Sequence, residues 1–204
     1  MTIRLHRGDL PDLSRYKTSV AIDTETMGLH PLRDRLCVVQ LSNGDGSADV
    51  VQIPPDRIEA PNLKKLLGDP AVTKIFHYAR FDLAVLFHTL GVMPTPVYCT
   101  KIASRLTRTY TDRHGLKDLV REMLNVDLSK QQQSSDWGSE QLSEAQVAYA
   151  ASDVLHLHQL RDKLDGMLVR AGRADIAKAC FEFLPTRSRL DLLGWGEEDI
   201  FAHS

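Results

Sequence analysis

The 204-residue chain has 43% apolar and 25% charged residues, which is typical of one globular domain and excludes a disordered chain. Its formal net charge of −2 argues against broad, non-specific polyanion binding, although a local basic face is compatible with that total. The three cysteines are widely separated and outside any CxxC pattern, so they indicate neither a disulfide framework nor a zinc site. No stretch has the length and apolarity of a signal peptide or a membrane span, and we expect a cytoplasmic protein without a membrane partner.

The first strong strand signal, residues 19–24, runs directly into two acids. Asp23 and Glu25 are two positions apart, so their side chains point to the same face of an extended strand. Two like charges at that distance repel each other and need a cation or a proton between them. A divalent metal is the simplest solution. A solvated strand end is the alternative that this segment alone leaves open.

A turn-rich segment, residues 8–12, precedes this strand and is expected to place the N-terminal residues at an edge of the fold or as a cap over it. Residues 36–42 and 48–53 follow as strands, and the Gly-rich turn at 43–46 is so short that the two must run antiparallel. The remaining patterns predict a helix at 62–67, strands at 72–76 and 97–100, and helices at 79–90, 100–107, 116–124, 143–171 and 175–184. This order predicts an α/β fold in which helices flank a mixed sheet.

Two further acids and a tyrosine stand out in the helical part. Asp82 lies in the first turn of the helix at 79–90, where the helix dipole alone would also favour a carboxylate. Tyr149 and Asp153 are four positions apart and therefore share a helix face. Asp has a mediocre helix propensity, so the position of Asp153 among alanines and other apolar residues needs a reason.

This set of residues, Asp23 and Glu25, then Asp82, then Tyr149 and Asp153, resembles the DEDD superfamily of 3′–5′ exonucleases. The resemblance covers roughly residues 19–164 and is strongest to ribonuclease D-like enzymes. It includes the segments 114–120 and 130–138, which look like that family's intermotif segments. The histidine subclass has its histidine five positions before the last aspartate, where this chain has Ala148, so the tyrosine subclass is indicated.

The resemblance implies a ribonuclease H-like (DnaQ-like) fold and two divalent ions, Mg²⁺ or Mn²⁺, that hydrolyse a phosphodiester. By the same resemblance, Asp23 bridges both ions, Glu25 and Asp153 hold the ion that activates water, and Asp82 reaches the second ion. Tyr149 orients the attacking water, because an ordinary tyrosine is a poor base near neutral pH.

Substrate contacts are predicted around these acids. Lys101, Arg105 and Arg108 have the spacing of one basic helical face, for which a solvated surface is the alternative. Leu29 resembles the family's apolar wedge between the last two bases, unless it packs into the core. Trp137 would stack on a base or else pack beneath its loop. The other predicted substrate-binding residues are Thr24, Met27, Gly28, His77, Phe81, His114 and Gln133.

We expect one exonuclease domain over residues 1–204, with residues 185–204 as a C-terminal tail. The chain resembles the short ribonuclease D-like enzymes called nano-RNase C, which form rings and cleave dinucleotides. This resemblance implies short single-stranded RNA as substrate and a homo-oligomer in which the apolar tail contributes a contact. Trimming of tRNA or other structured RNA, hydrolysis of single-stranded DNA, and a catalytically silent RNA-binding module are the alternatives.

Overall fold

A six-stranded mixed sheet forms the centre of the molecule in a computed structural model that describes residues 2–56, 58–129 and 131–203. The strands are β1 (Thr2–Arg7), β2 (Ser19–Thr26), β3 (Leu36–Ser42), β4 (Ser47–Gln52), β5 (Thr73–Phe76) and β6 (Val97–Cys99). Their order across the sheet is β1-β4-β3-β2-β5-β6.

The strand directions agree with the sequence patterns. The β3–β4 pair is antiparallel, as the short Gly-rich turn requires, and β2 pairs antiparallel with β3 on one side and parallel with β5 on the other. The N-terminal strand β1 pairs parallel with β4 at one edge, which confirms the expected edge position. Strands β2 and β3 therefore lie in the middle of the sheet, and every residue of β3 is buried.

Seven helices of the described chain flank this sheet. They are α1 (Pro61–Gly68), α2 (Ala79–Leu90), α3 (Thr100–Thr107), α4 (Leu116–Leu124), α5 (Glu144–Leu155), α6 (Leu157–Arg170) and α7 (Ala174–Leu190), and a short π-helical turn (Asp191–Trp195) follows α7. The mixed sheet with flanking helices matches the fold class predicted from the sequence. None of these helices is both long and apolar enough to cross a lipid bilayer.

Two helix boundaries differ from the prediction. The segment 143–171 forms two helices, because the chain breaks at His156, whose φ and ψ of −106° and −5° end α5 and begin α6. Helix α7 continues past Pro185 to Leu190, beyond its predicted end at residue 184. The buried Ser188 in this extension donates a 2.9 Å hydrogen bond to the carbonyl of Arg80, which ties the last turn of α7 to α2.

Three features of the fold bring the chemically interesting residues to one place. The β2–β3 register shifts between Glu25 and Thr26, where Cys37 of β3 is an extra residue, so the regular pairing is interrupted immediately after the acid pair. Tyr78 has a left-handed φ of 70° and turns the chain from β5 into α2, directly before Asp82. Helix α5 packs against the central strands and begins at a capping box in which Ser143 and Gln146 exchange hydrogen bonds.

Candidate metal centre and active site

Three carboxylates converge at the end of β2. Asp23 and Glu25 project from the same face of the strand, and Asp153 reaches them from α5, so that one oxygen of each lies within 4.8 Å of the others. All three side chains are half-buried. A divalent cation with oxygen ligands suits such a group, because hard carboxylate oxygens are the ligands that Mg²⁺ and Mn²⁺ prefer.

The electrostatics of the cluster support the same interpretation. Burial raises the pKa of Asp23 to about 7. Burial, and then the charge of Asp23, raises the pKa of Asp153 to about 8. Burial and the neighbouring carboxylates raise the pKa of Glu25 to about 10. The metal-free cluster therefore retains protons near neutral pH, and a cation would stabilise its ionised form. On this ground the residues fit a divalent metal centre.

Asp82 lies next to this group and not within it. Its side chain is only 3% exposed, and its Oδ1 accepts a 2.7 Å hydrogen bond from the Thr24 hydroxyl. Burial and the charge of Asp23 raise the pKa of Asp82 well above the usual value of an aspartate. Thr24, which was predicted as a substrate contact, lines the cavity described below. It also donates the hydrogen bond that holds Asp82.

Tyr149 lines the same site one helical turn before Asp153. Its ring lies 6.0 Å from that of Trp137, measured between centroids. Burial, followed by the charges of Asp153 and Glu25, raises the pKa of its hydroxyl above the usual tyrosine value. The phenol therefore keeps its proton and can donate it in a hydrogen bond.

A cavity of about 310 Å³ opens over the carboxylates. Of the residues predicted to contact substrate, four line it: Thr24, His77, Lys101 and Gln133. His77 is held by a 2.9 Å hydrogen bond between its Nδ1 and the Thr100 hydroxyl, and burial, followed by the charge of Lys101, lowers its pKa to about 3. His77 is therefore neutral. The ammonium of Lys101 lies 4.3 Å from the centroid of the Tyr78 ring.

Several residues of the cavity wall were not predicted. They come from the start of α4 and the loop after it, and are Gly115, Leu116, Asp118, Leu128 and Ser129. The segment 114–120 carries the family resemblance, and that signal could have pointed to them. Lys117, which follows the basic residues of α3 closely in the sequence and belongs to the same predicted phosphate-binding cluster, also lines the cavity. Lys130, which opens the second intermotif segment, lies outside the described residues.

The loop after β2 forms a rim. Met27 and Leu29 are 53% and 87% exposed, so Leu29 is free for contact with a ligand and is not packed into the core. Gly28 packs against the Asp34 carboxylate so closely that a Cβ there would lie 2.3 Å from Asp34 Oδ2. Phe81 is half-buried against the core and lines a separate hollow together with Leu29.

The predicted basic face does not form as expected. Helix α3 ends at Thr107, and Arg108 turns inward and is 0% exposed. Its guanidinium donates to Ser104 Oγ at 3.0 Å and to the Arg113 carbonyl at 2.7 Å, and it pairs with Glu122. The prediction that Arg108 contacts phosphate is therefore wrong, because its charge is already satisfied within the fold.

Base stacking by Trp137 is also contradicted. The side chain is 3% exposed and belongs to the hydrophobic core, which is the packing alternative.

The two other basic residues predicted to contact substrate lie outside the cavity over the acids. Arg105 is exposed and lines a neighbouring groove with Tyr78. His114 is half-buried, and its Nδ1 lies 2.8 Å from Ser104 Oγ.

Sequence reasoning missed one polar residue in the sheet. Gln40, on β3, lies directly opposite Asp23 and donates a 2.8 Å hydrogen bond from Nε2 to Asp23 Oδ2. The available signal was a glutamine inside the otherwise apolar run from Leu36 to Leu41.

Comparison with known proteins gives consistent matches. A sequence profile of a family described as 3′–5′ exonuclease matches residues 10–169. Ribonuclease D of Gluconacetobacter diazotrophicus is 37% identical over 161 residues, which are 79% of this chain and 40% of that protein. The chain thus spans about two fifths of the length of the first curated relatives that it matches.

Solved structures agree with these matches. Brucella melitensis NrnC with bound Mg²⁺ is 64% identical with a TM-score of 0.96, and the match covers 100% of both chains. The same nuclease bound to pGG is 65% identical with a TM-score of 0.97, again over 100% of both chains. Escherichia coli RNase D is 27% identical with a TM-score of 0.75, over 86% of this chain and 46% of that one. The matches confirm the predicted resemblance to ribonuclease D-like exonucleases, the ribonuclease H-like fold and the class of enzyme.

Proposed function

The chain belongs to the 3′–5′ exonuclease family, and from that premise we propose that it hydrolyses short single-stranded RNA, down to dinucleotides, to nucleoside 5′-monophosphates. One observation carries the proposal: three half-buried carboxylates within 4.8 Å of one another face a cavity of about 310 Å³. The structure of NrnC bound to pGG supports a short RNA substrate for this chain.

Asp23, Glu25 and Asp153 would hold the divalent metal, and Asp82 would take part in binding a second ion. The NrnC structure with bound Mg²⁺ supports Mg²⁺ in this role, and Mn²⁺ suits the same oxygen ligands. Two bound ions supply charge relief at the scissile phosphate, acidify the attacking water and support the departing 3′ oxygen.

The remaining side chains orient the reactants. Tyr149 keeps its proton because its pKa is raised, so it holds the attacking water by a hydrogen bond and does not act as the base. Lys101 lies in the cavity wall with a charge available for a phosphate. Leu29, which projects from the rim, would contact the base at the 3′ end. Gln133, His77, Thr24, Met27 and Gly28 would complete the substrate contacts.

Assembly is part of the proposal. Arg80 and Arg187 pair with Asp191 and anchor the start of the tail to the domain. Beyond this anchor, Trp195 and Phe201 remain exposed, Phe201 by 76%. An exposed aromatic surface of this kind is typical of a subunit contact. We propose a homo-oligomer, in the form of a ring, that uses residues of the segment 185–204.

A substrate-length series tests the proposal. Turnover of 5′-labelled RNA of two nucleotides, longer RNA and single-stranded DNA is measured with Mg²⁺, and the dinucleotide should be hydrolysed fastest. Equal rates on all three contradict the short-RNA preference. Asp23→Ala and Asp153→Ala should abolish hydrolysis in proteins that retain their fold by circular dichroism, and unchanged turnover would remove these acids from the mechanism.

A second candidate is trimming of structured RNA. The E. coli RNase D structure, described as that of an exoribonuclease involved in structured RNA processing, favours it. Faster release of nucleotides from a tRNA precursor than from the dinucleotide would support this alternative.

A further inference from the structure

Gln40 is a buried polar residue in the part of β3, Leu36 to Leu41, that is otherwise apolar. It is 0% exposed, as are its neighbours Val39 and Leu41. A buried amide is unfavourable unless its polar atoms are hydrogen-bonded. The amide nitrogen of Gln40 satisfies this requirement through one partner, the Oδ2 atom of Asp23 at 2.8 Å.

The other amide atom shows that this arrangement does not serve stability alone. Gln40 Oε1 is buried and has no hydrogen-bond partner among the residues that the structure describes. The amide cannot be reversed to relieve this, because an ionised carboxylate accepts hydrogen bonds and the amide nitrogen must face it. A methionine of similar length would fill the same space without an unsatisfied oxygen. The feature that Gln40 provides and methionine lacks is the donor to Asp23.

This donor acts on the central acid of the cluster. The hydrogen bond uses one lone pair of Asp23 Oδ2 and restrains rotation of the carboxylate, and the other lone pairs stay available to a cation. The restraint comes from a rigid element, since Gln40 and Asp23 are paired residues of two central strands. Polar groups that orient a metal ligand in this way commonly change metal affinity by about 10–100-fold when they are removed.

We propose that Gln40 is a positioning residue of the metal centre, which acts through Asp23 to strengthen the binding of divalent cations. This inference rests on the proposed function of the carboxylate cluster. Gln40 itself would touch neither the cation nor the RNA.

The test is Mn²⁺ titration of the metal-free protein by calorimetry, with thermal melting in EDTA as a readout of folding. Gln40→Met should bind Mn²⁺ at least about tenfold more weakly than the wild type, and should melt at an equal or higher temperature in EDTA. Leu41→Ala, at the next buried position of the same strand, is the control. It should melt at a lower temperature and keep its Mn²⁺ affinity, which separates loss of packing from loss of positioning.

A double-mutant cycle shows whether the effect passes through Asp23. In an Asp23→Asn background, adding Gln40→Met should leave Mn²⁺ affinity unchanged within a factor of about two. If Gln40→Met does not fold, the Mn²⁺ affinity of Gln40→Asn is measured instead. This variant keeps a buried amide, but its side chain is one methylene shorter and moves the N–H donor away from Asp23. Wild-type Mn²⁺ affinity in the folded variant overturns the inference. A wild-type protein that binds Mn²⁺ but releases no nucleotide from RNA contradicts the proposed function instead.

Discussion

Replacement of Glu25 by glutamine is expected to stabilise the metal-free protein and to weaken its response to divalent cations. Burial and the charges of Asp23 and Asp153 raise the pKa of Glu25 to about 10 in the folded protein. The unfolded chain restores an ordinary glutamate pKa of about 4.3. The pKa of Glu25 is therefore higher in the folded protein than in the unfolded chain. Because of this sign, the contribution of Glu25 to stability is complete below the unfolded pKa and is lost as the pH rises through the folded pKa.

The magnitude follows from the size of this shift. Each pKa unit corresponds to ~1.4 kcal/mol, and solvent that reaches the half-buried Glu25 carboxylate screens part of the cost, which leaves on the order of 1–3 kcal/mol at neutral pH. In a chain of 204 residues, 1 kcal/mol changes the melting temperature by roughly 2–4 °C. Glu25→Gln should therefore melt roughly 2–12 °C above the wild type in EDTA.

The assay is thermal melting between about pH 5 and pH 9, in EDTA and with excess Mg²⁺. The wild type should lose stability with rising pH in EDTA and recover it with Mg²⁺, whereas Glu25→Gln should show a flatter pH profile and a smaller Mg²⁺ effect. Glu140→Gln removes an exposed acid outside the cluster and serves as the matched control. If Glu25→Gln melts at or below the wild-type temperature in EDTA, burial and the neighbouring carboxylates do not raise the pKa of Glu25 as argued.

Three further outcomes are expected. Tyr149→Phe should lower kcat by about 10–100-fold and leave the Mn²⁺ affinity unchanged, since it removes only the water-orienting hydroxyl; full turnover would exclude Tyr149 from the mechanism. Arg108→Met should lower the unfolding free energy by about 2–4 kcal/mol in urea titrations, because the Arg113 carbonyl and Glu122 lose their buried partner. KM for RNA should not change in that variant. Lys101→Met should raise KM by about tenfold with little effect on the melting temperature, and an unaltered KM would contradict a phosphate contact.

The acid cluster could be predicted because each part of it follows from local periodicity. Alternation along a strand places Asp23 beside Glu25, and helical spacing places Tyr149 and Asp153 on one face. The resemblance to a family then indicated that these local pairs meet. What periodicity could not show is that Asp82 lies next to the other three acids, where it accepts a hydrogen bond from Thr24.

Gln40 was missed because its role depends on strand register. The connection between β2 and β3, residues 27–35, is long, and the register shifts at Glu25 and Thr26. A shift of one residue would turn Gln40 to the opposite face of the sheet. The sequence therefore shows a polar residue inside an apolar strand but cannot identify the residue opposite it.

One physical rule explains which basic residues can contact substrate. A Lys or Arg side chain is available to a ligand only when its charge has no hydrogen-bonded partner within the fold. The i, i+4, i+7 spacing predicts a shared face only while the helix continues, and at Arg108 the backbone leaves the helix with φ and ψ of −98° and 59°. Its guanidinium then finds carbonyl, hydroxyl and carboxylate partners inside the fold. Lys101, in the first turn of α3, and Lys117, in the first turn of α4, line the same cavity as the carboxylates. Attraction of an RNA phosphate toward the metal centre should therefore depend on these two lysines and not on the arginine that sequence spacing favoured.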